Sequence, residues 1–98
     1  MPFIWQDREI RFDLLAKLLL CRQGEKVIEE IPKVEDIKGN NGERGYLIVT
    51  NLRLIWYCEL KPKLNLSIGL DVILGCGIET NTSMVHGNQM QLILRTRY

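Results

Sequence analysis

The residues able to do chemistry in this sequence are few and widely separated. Cys21, Cys58 and Cys76 stand far apart with no C-x-x-C spacing, and His86 is the one histidine. Structural zinc sites are built from four ligands, mostly cysteine and histidine in closely spaced pairs. The sequence therefore predicts no metal site. An odd number of cysteines in a chain without a secretory signal predicts a reducing compartment.

Groups suited to catalysis are equally sparse. No serine or cysteine has an identifiable base, and the acidic pairs Glu29-Glu30 and Glu35-Asp36 are adjacent in sequence rather than placed to flank a substrate. The glycine-rich stretch from Gly39 to Gly45 lacks the Gly-Lys-Ser/Thr ending of a nucleotide-binding loop. We therefore predict no catalytic residue, no cofactor and no enzymatic activity.

Length and charge restrict the remaining classes. The 98 residues, with 46% hydrophobic and 26% charged content, are typical of one globular domain. Thirteen Lys+Arg against 12 Asp+Glu leave a net charge of +1, which predicts no general attraction to nucleic acid. Any anion site must therefore be local. Charge within the first seven residues and the lack of a long apolar run predict a cytoplasmic protein.

The elements that must position these residues are mostly strands. Residues 1–13 alternate aromatic and charged types, which predicts a docked N-terminal arm that contacts the core through Trp5, Ile10 and Phe12. Residues 13–21 have the leucine spacing of a short helix. Six stretches then have the β-branched, aromatic or alternating composition of strands: residues 26–36, 46–50, 53–58, 64–68, 72–80 and 90–96.

The clearest of these predictions is a hairpin with Asn51-Leu52 at its turn. In its second arm Leu54, Trp56 and Cys58 share one face, which we expect to enter the core. Pro32 predicts an edge strand or a bulge in the stretch before the hairpin. Short strands at hairpin-like spacing predict a mainly β, antiparallel sandwich or partly open barrel.

Several motifs resemble a known family. Residues 39–56, GNNGERGYLIVTNLRLIW, have the "GxLxxTNxRxxW" form of the hairpin in pleckstrin-homology-like, GRAM and GLUE modules. Together with Trp5-Gln6-Asp7-Arg8-Glu9-Ile10-Arg11-Phe12-Asp13, Glu35-Asp36, Lys38 and Asn65-Leu66-Ser67-Ile68-Gly69, they resemble the Bardet-Biedl syndrome protein 5 family of BBSome subunits. The resemblance extends from Trp5 to about Leu94.

This resemblance implies a pleckstrin-homology-like fold, in which two antiparallel sheets are closed at one end by a C-terminal helix. The sequence pattern shows six strands, and we expect the last strand and the closing helix to be missing. We accordingly expect residues 1–13 to be the arm and residues 14–98 to be a single, incomplete pleckstrin-homology-like domain. An open apolar end is seldom exposed in a soluble monomer, so we expect another chain to cover it.

The resemblance also implies a function, that of a non-enzymatic adaptor in ciliary membrane-protein trafficking. Its partners would be protein subunits of a BBSome-like ciliary complex and a phosphoinositide membrane. Its location would be the cilium, the ciliary basal body or the ciliary membrane as a peripheral protein. The candidate lipid-binding residues are Lys38, Arg44 and Arg53, of which Arg53 has the alternative of pairing with Glu43 or Glu59.

Trp5 and Phe12 are the candidate partner-binding residues, and Trp5 has the alternative of packing against its own domain. Two other functions remain open. One is a structural interaction subunit of a large ciliary or axonemal complex without lipid binding, which the near-neutral charge favours. The other is a GLUE-like endosomal sorting module, which shares the hairpin form.

Overall fold

The computed structural model of this chain describes residues 6–35, 43–83 and 87–97. This part contains seven strands, one short α-helix and one 3-10 turn at Leu70–Val72. In chain order the elements are β1 (Ile10–Phe12), α1 (Ala16–Leu19), β2 (Val27–Glu35), β3 (Arg44–Thr50), β4 (Arg53–Cys58), β5 (Asn65–Gly69), β6 (Ile73–Ser83) and β7 (Gly87–Thr96). The six predicted strands and the short helix are confirmed. The additional strand, β1, lies inside the predicted N-terminal arm.

The strands form one five-stranded sheet in the order β1-β5-β4-β3-β2 and a separate β6-β7 hairpin. All pairs are antiparallel, and the five-stranded sheet stays open, with β1 and β2 at its edges. The predicted β3-β4 hairpin is confirmed, with Tyr46 opposite Tyr57 and Ile48 opposite Ile55. The mainly β, antiparallel fold class is likewise confirmed.

Strand β2 is the edge strand that Pro32 predicted. Its pairing with β3 shifts register between Ile31 and Val34, and Lys33 has a φ of 59°. Such an irregularity is a β-bulge, which bends a strand and interrupts its hydrogen-bond ladder. The indole Nε1 of Trp56 donates a hydrogen bond of 2.9 Å to the Val34 carbonyl, so the central strand β4 helps to hold the bulge in place.

The core is centred on β4, which is buried on both sides. Leu54, Trp56 and Cys58 are buried as predicted, but Arg53 and Ile55 on the opposite side are buried too. A strand that pairs on both edges and is covered on both faces has no side facing solvent. The prediction that only one face of β4 would be buried was therefore incomplete.

Strand β5 departs further from its sequence pattern. Its polar residues Asn65 and Ser67 are buried, whereas the apolar Leu66 and Ile68 between them are only half-buried. Residues Arg53, Ile55, Asn65 and Ser67 share one side of the sheet, here called the covered face. The segment from Asp13 to Glu25 lies against this face. The Asn65 side chain secures it, since Oδ1 accepts from the Leu14 N–H at 2.7 Å and Nδ2 donates to the Leu14 carbonyl at 2.9 Å.

The N-terminal arm pairs with β5 through Ile10–Phe12, and the side chain of Ile10 is half-buried. Ile10 lies opposite Ile68, and the Glu9 carbonyl accepts from the Gly69 N–H at 2.8 Å. Phe12 is 68% exposed, so the prediction that it contacts the core is wrong. Trp5 lies outside the described residues.

The β6-β7 hairpin has apolar side chains in solvent. Ile78 pairs with Leu92 across the hairpin, and both are exposed, as are Leu74 and Ile93. The pairing shifts register between Ile73 and Gly75. In the described part of the chain, no helix is long and apolar enough to cross a bilayer.

Candidate functional site

The predicted lipid-binding loop leaves the sheet where β2 ends and β3 begins. Glu35 pairs with Arg44 at this point, and their side chains form an ion pair in which Nε and Oε1 are 3.5 Å apart. The Arg44 side chain is about half exposed. Exposed ion pairs of this kind are weak, so the guanidinium is available to a competing phosphate at little cost. Lys38 lies outside the described residues.

A second acidic residue, Glu43, lies beside Lys61 at this end of the sheet. Glu43 lies 3.7 Å from the Lys61 ammonium and accepts a 3.1 Å hydrogen bond from the Cys58 thiol. Lys61, Pro62, Lys63 and Leu64 line an open depression of about 520 Å³. The two lysines are exposed. The site can therefore present Arg44, Lys61 and Lys63 to an anionic group. Two of these cations, Arg44 and Lys61, lie close to a carboxylate.

Arg53 is not part of this surface. Its side chain is fully buried, and its five N–H donors all have acceptors. The guanidinium bonds Glu25 through Nε at 2.8 Å and Nη2 at 3.1 Å. Its other bonds go to the Leu18 carbonyl at 3.0 Å, the Leu20 carbonyl at 3.1 Å and the Ser67 hydroxyl at 3.4 Å.

We therefore correct the prediction for Arg53: a headgroup cannot reach its guanidinium in this fold. Arg53 does form a structural ion pair with an acidic residue, which was the alternative prediction. Its partner, however, is Glu25 rather than Glu43 or Glu59. A buried arginine whose donors are all satisfied is a structural group. Its bonds to Leu18 and Leu20 hold the segment before Glu25 on the covered face of the sheet.

The environment of Glu25 keeps its carboxylate charged. Burial by itself raises the pKa of Glu25, because it removes water from the charged form. Hydrogen bonds from Arg53, the Arg22 N–H and the Thr50 hydroxyl, together with the positive charge of Arg53, outweigh this, and the net effect is a pKa below the ordinary value. Among the described residues, every buried side-chain nitrogen and oxygen has a hydrogen-bond partner.

The hairpin turn belongs to the same network. The Thr50 hydroxyl donates to Glu25 at 2.7 Å and accepts from the N–H groups of Leu52 and Arg53. The Asn51 side chain accepts from the Lys26 N–H at 2.7 Å and donates to the Gly24 carbonyl at 3.0 Å. The Thr-Asn-x-Arg part of the motif therefore attaches the β3-β4 turn to residues 24–26.

Sequence reasoning selected Arg53 but missed its partner. Glu25 precedes it by 28 positions in a polar turn, and nothing in the local pattern relates the two. The one available signal was a charged residue directly between Leu52 and Leu54, both of which are buried. Of the predicted partner-binding residues, Phe12 is exposed on β1, while Trp5 falls in the part of the chain that is not described.

These features define a class: a small, open antiparallel β-domain whose central buried charges, Arg53 and Glu25, are structural. The family follows from comparison with known proteins. Residues 25–98 match the family model of the Bardet-Biedl syndrome 5 protein N-terminal PH-like domain. The chain belongs to this family.

Curated relatives agree with this assignment. The chain is 42% identical over 94 residues to the BBSome complex member BBS5 of Danio rerio, a match that covers 96% of the chain. It is 43% identical over 97 residues to the Mus musculus protein of that name, covering 99% of the chain. It is 51% identical over 86 residues to the BBSome complex member bbs-5 of Caenorhabditis elegans, covering 88%. The chain spans only 24–28% of the length of these relatives.

Proposed function

We propose that this chain is a non-enzymatic PH-like module of a BBSome subunit that acts in ciliary membrane-protein trafficking. The observation that carries the proposal is the family match over residues 25–98, together with relatives that are named BBSome complex members. Residues 14–98 act as the module and residues 1–13 as its arm. The protein works at the cilium, its basal body or its membrane, among protein subunits of the complex.

Within this role we propose that the Lys38–Arg44 loop contacts phosphoinositide headgroups. Support comes from Arg44, whose exposed guanidinium forms a 3.5 Å ion pair with Glu35 and can clamp a phosphate through two parallel hydrogen bonds. Lys61 and Lys63, exposed in a neighbouring loop, add positive charge that an anionic membrane attracts.

Co-sedimentation with phosphoinositide-containing vesicles tests this loop. We expect Lys38→Glu combined with Arg44→Glu to lower the vesicle-bound fraction severalfold, because two attractive charges become repulsive. The matched control is Lys26→Glu with Arg97→Glu, which makes the same charge change at exposed positions elsewhere. If both double variants bind like the parent chain, or lose binding equally, the loop is not the headgroup site.

A second candidate function is an interaction module that does not bind lipid. It is favoured by the burial of Arg53 and by the acidic partners of Arg44 and Lys61. On this alternative, protein contacts alone hold the module, and another chain covers the exposed apolar side chains of the β6-β7 hairpin.

Sucrose-gradient sedimentation of a ciliated-cell extract separates the two candidates. A permanent structural subunit migrates wholly with a large complex. A lipid adaptor also has a free fraction, and a membrane-bound fraction from which added phosphoinositide releases the protein by competition. Migration of the protein entirely at the position of a small free species would contradict the BBSome proposal itself.

A further inference from the structure

The outer edge of the N-terminal arm is a free edge of the five-stranded sheet among the described residues. The carbonyls of Asp7 and Glu9 accept from Asp71 and Gly69, and the Asp13 N–H donates to Asn65. Odd-numbered arm residues thus direct their backbone groups toward β5. Successive residues of an extended strand direct them to opposite sides, so Arg8, Ile10 and Phe12 direct theirs outward. No strand of the described chain pairs with that edge.

An open cleft of about 810 Å³ lies beside this edge, on the covered face of the sheet. One wall is the arm and the other is the segment of residues 17–23. Both walls are fixed: Arg22 bonds Asp7 at 2.6 Å across the cleft, and Arg53 holds the Leu18 and Leu20 carbonyls. A preformed cleft avoids the ordering cost that a mobile one incurs on binding.

The charge of the cleft favours an anionic occupant. The cleft is lined by four cations: Arg8, Arg11, Lys17 and Arg22. Three carboxylates oppose them: Asp7 and Glu9 in the lining, and Asp71, which lies 3.7 Å from Arg8. In the described part of the chain Lys17 has no ionic partner. The pairs Arg8–Asp71 and Arg11–Glu9 are exposed, so both guanidinium groups can turn toward an incoming carboxylate at little cost.

The opposite edge of the sheet is protected against strand addition. Pro32 and two register shifts interrupt β2, and Glu29 and Glu30 are exposed on it. Proline, bulges and charges are the devices by which natural sheets blunt an edge. The β1 strand is short, at three residues, but it has no proline and no register shift, so it is the less obstructed of the two edges of this sheet.

We propose that the β1 edge and the adjoining cleft bind an extended segment of a partner protein in which acidic and apolar residues alternate. The segment adds a strand beside residues 8–12 through backbone hydrogen bonds. Because side chains alternate across a strand, its acidic residues then meet Arg11 and Lys17 in the cleft. Its apolar residues lie on the other side of the sheet, beside the exposed Phe12.

The test measures fluorescence anisotropy of a labelled peptide of about seven residues, alternating glutamate with valine or isoleucine, added to the 98-residue chain. Two control peptides are used: one with lysine in place of glutamate, and one N-methylated at alternate amides, which cannot complete a strand ladder. We expect only the acidic, unmethylated peptide to bind, more weakly as ionic strength rises.

Protein variants locate the binding. Lys17→Glu is expected to lower the affinity for the acidic peptide by about fivefold, which is the size of one or two reversed surface charge interactions. Lys26→Glu, the same change at an exposed lysine outside the cleft, is expected to change it by less than about twofold. Both side chains are exposed, so circular dichroism should show both variants folded like the parent chain.

The proposal is overturned by binding of all three peptides alike, by binding of none, by equal effects of the two lysine variants, or by competition from phosphatidylserine vesicles that Lys17→Glu abolishes. The last result would assign the surface to a membrane. Concentration-dependent dimerisation that Lys17→Glu removes would assign it to a second copy of this chain, and would overturn the proposal as well.

Discussion

Arg53 shows how one residue of a recognition motif can serve structure instead of ligand binding. Its guanidinium joins Glu25, the segment of residues 18–20 and Ser67, and none of it faces solvent. A buried charge loses the stabilisation of water and is tolerated only when it is paired and fully hydrogen-bonded. The ion pair therefore fixes where the N-terminal segment crosses the sheet.

Removing the arginine should be costly because Glu25 would keep its charge in a buried site. We expect Arg53→Met to lower the free energy of unfolding by about 3–5 kcal/mol, measured by urea denaturation followed by tryptophan fluorescence. Adding Glu25→Gln should recover about 1 kcal/mol or more, since the unpaired charge is gone. Lys63→Met, at an exposed lysine, is the control. If Arg53→Met costs no more than this control, the pair does not stabilise the fold.

Because the pKa of Glu25 is lowered in the folded state, the stabilisation that the Arg53–Glu25 pair gives to the fold depends on pH. A carboxyl group with a lower pKa in the folded state binds fewer protons there than in the unfolded chain, so falling pH favours unfolding. Its contribution is complete above the unfolded pKa of about 4.3 and is lost as pH falls through the folded pKa. We expect Glu25→Gln to be less stable than the parent chain at neutral pH, with the difference shrinking below about pH 4. A difference that stays constant with pH would contradict this prediction.

At the scale of the elements, two glycines allow neighbouring backbones to approach closely. A Cβ at Gly45 would overlap the Tyr57 carbonyl oxygen on β4, and one at Gly69 would overlap the backbone of Asp7 in the arm. Glycine is therefore required where β3 meets β4 and where the arm meets β5. At Gly77 in the β6-β7 hairpin, a Cβ would have nothing within 4 Å.

These differences predict opposite effects for one chemical change. Gly45→Ala and Gly69→Ala should each lower the thermal unfolding temperature by several degrees, since backbone must shift to make room. Gly77→Ala should leave it unchanged or raise it slightly, because alanine restricts the unfolded chain. Differential scanning calorimetry measures all three. Equal effects at the three positions would mean that the close approaches do not matter for stability.

For the whole molecule, the exposure of apolar side chains on both sheets has a consequence in solution. Phe12, Ile78, Leu92 and Ile93 are each at least 43% exposed. Extended apolar surface of this kind usually marks a contact with another protein or another segment of the same one. The open five-stranded sheet and the exposed hairpin therefore favour a domain that is completed by further contacts.

We expect the isolated 98-residue chain to bind a hydrophobic dye and to associate as its concentration rises. Ile78→Thr combined with Leu92→Thr should reduce both effects, because the two side chains pair on one face of the hairpin and both are exposed. Dye fluorescence and analytical ultracentrifugation provide the measurements. A dye-free, monodisperse monomer would show that no covering partner is needed.

The sequence by itself determined the strands. β-branched and aromatic runs, Pro32 and the Asn51-Leu52 turn located the β3-β4 hairpin, the bulged edge strand and the family motif, because these depend on local backbone preference. It also identified Arg44 as an accessible cation. The short β1 strand was missed, since its stability depends on pairing with β5, which is more than 50 residues away.

Only the tertiary structure decided that the covered face, with Arg53, Asn65 and Ser67, is buried as well. Leu66 and Ile68 are the apolar residues of the alternating β5 pattern, yet Asn65 and Ser67 between them are the more deeply buried residues. The physical reason is the N-terminal segment that crosses the covered face. Its backbone must be hydrogen-bonded once it leaves water, and Asn65, Arg53 and Thr50 supply those bonds or hold the groups that do. Pairings between residues so distant in sequence leave no local pattern. They explain why Arg53, predicted as a candidate lipid-binding residue, is instead part of the core.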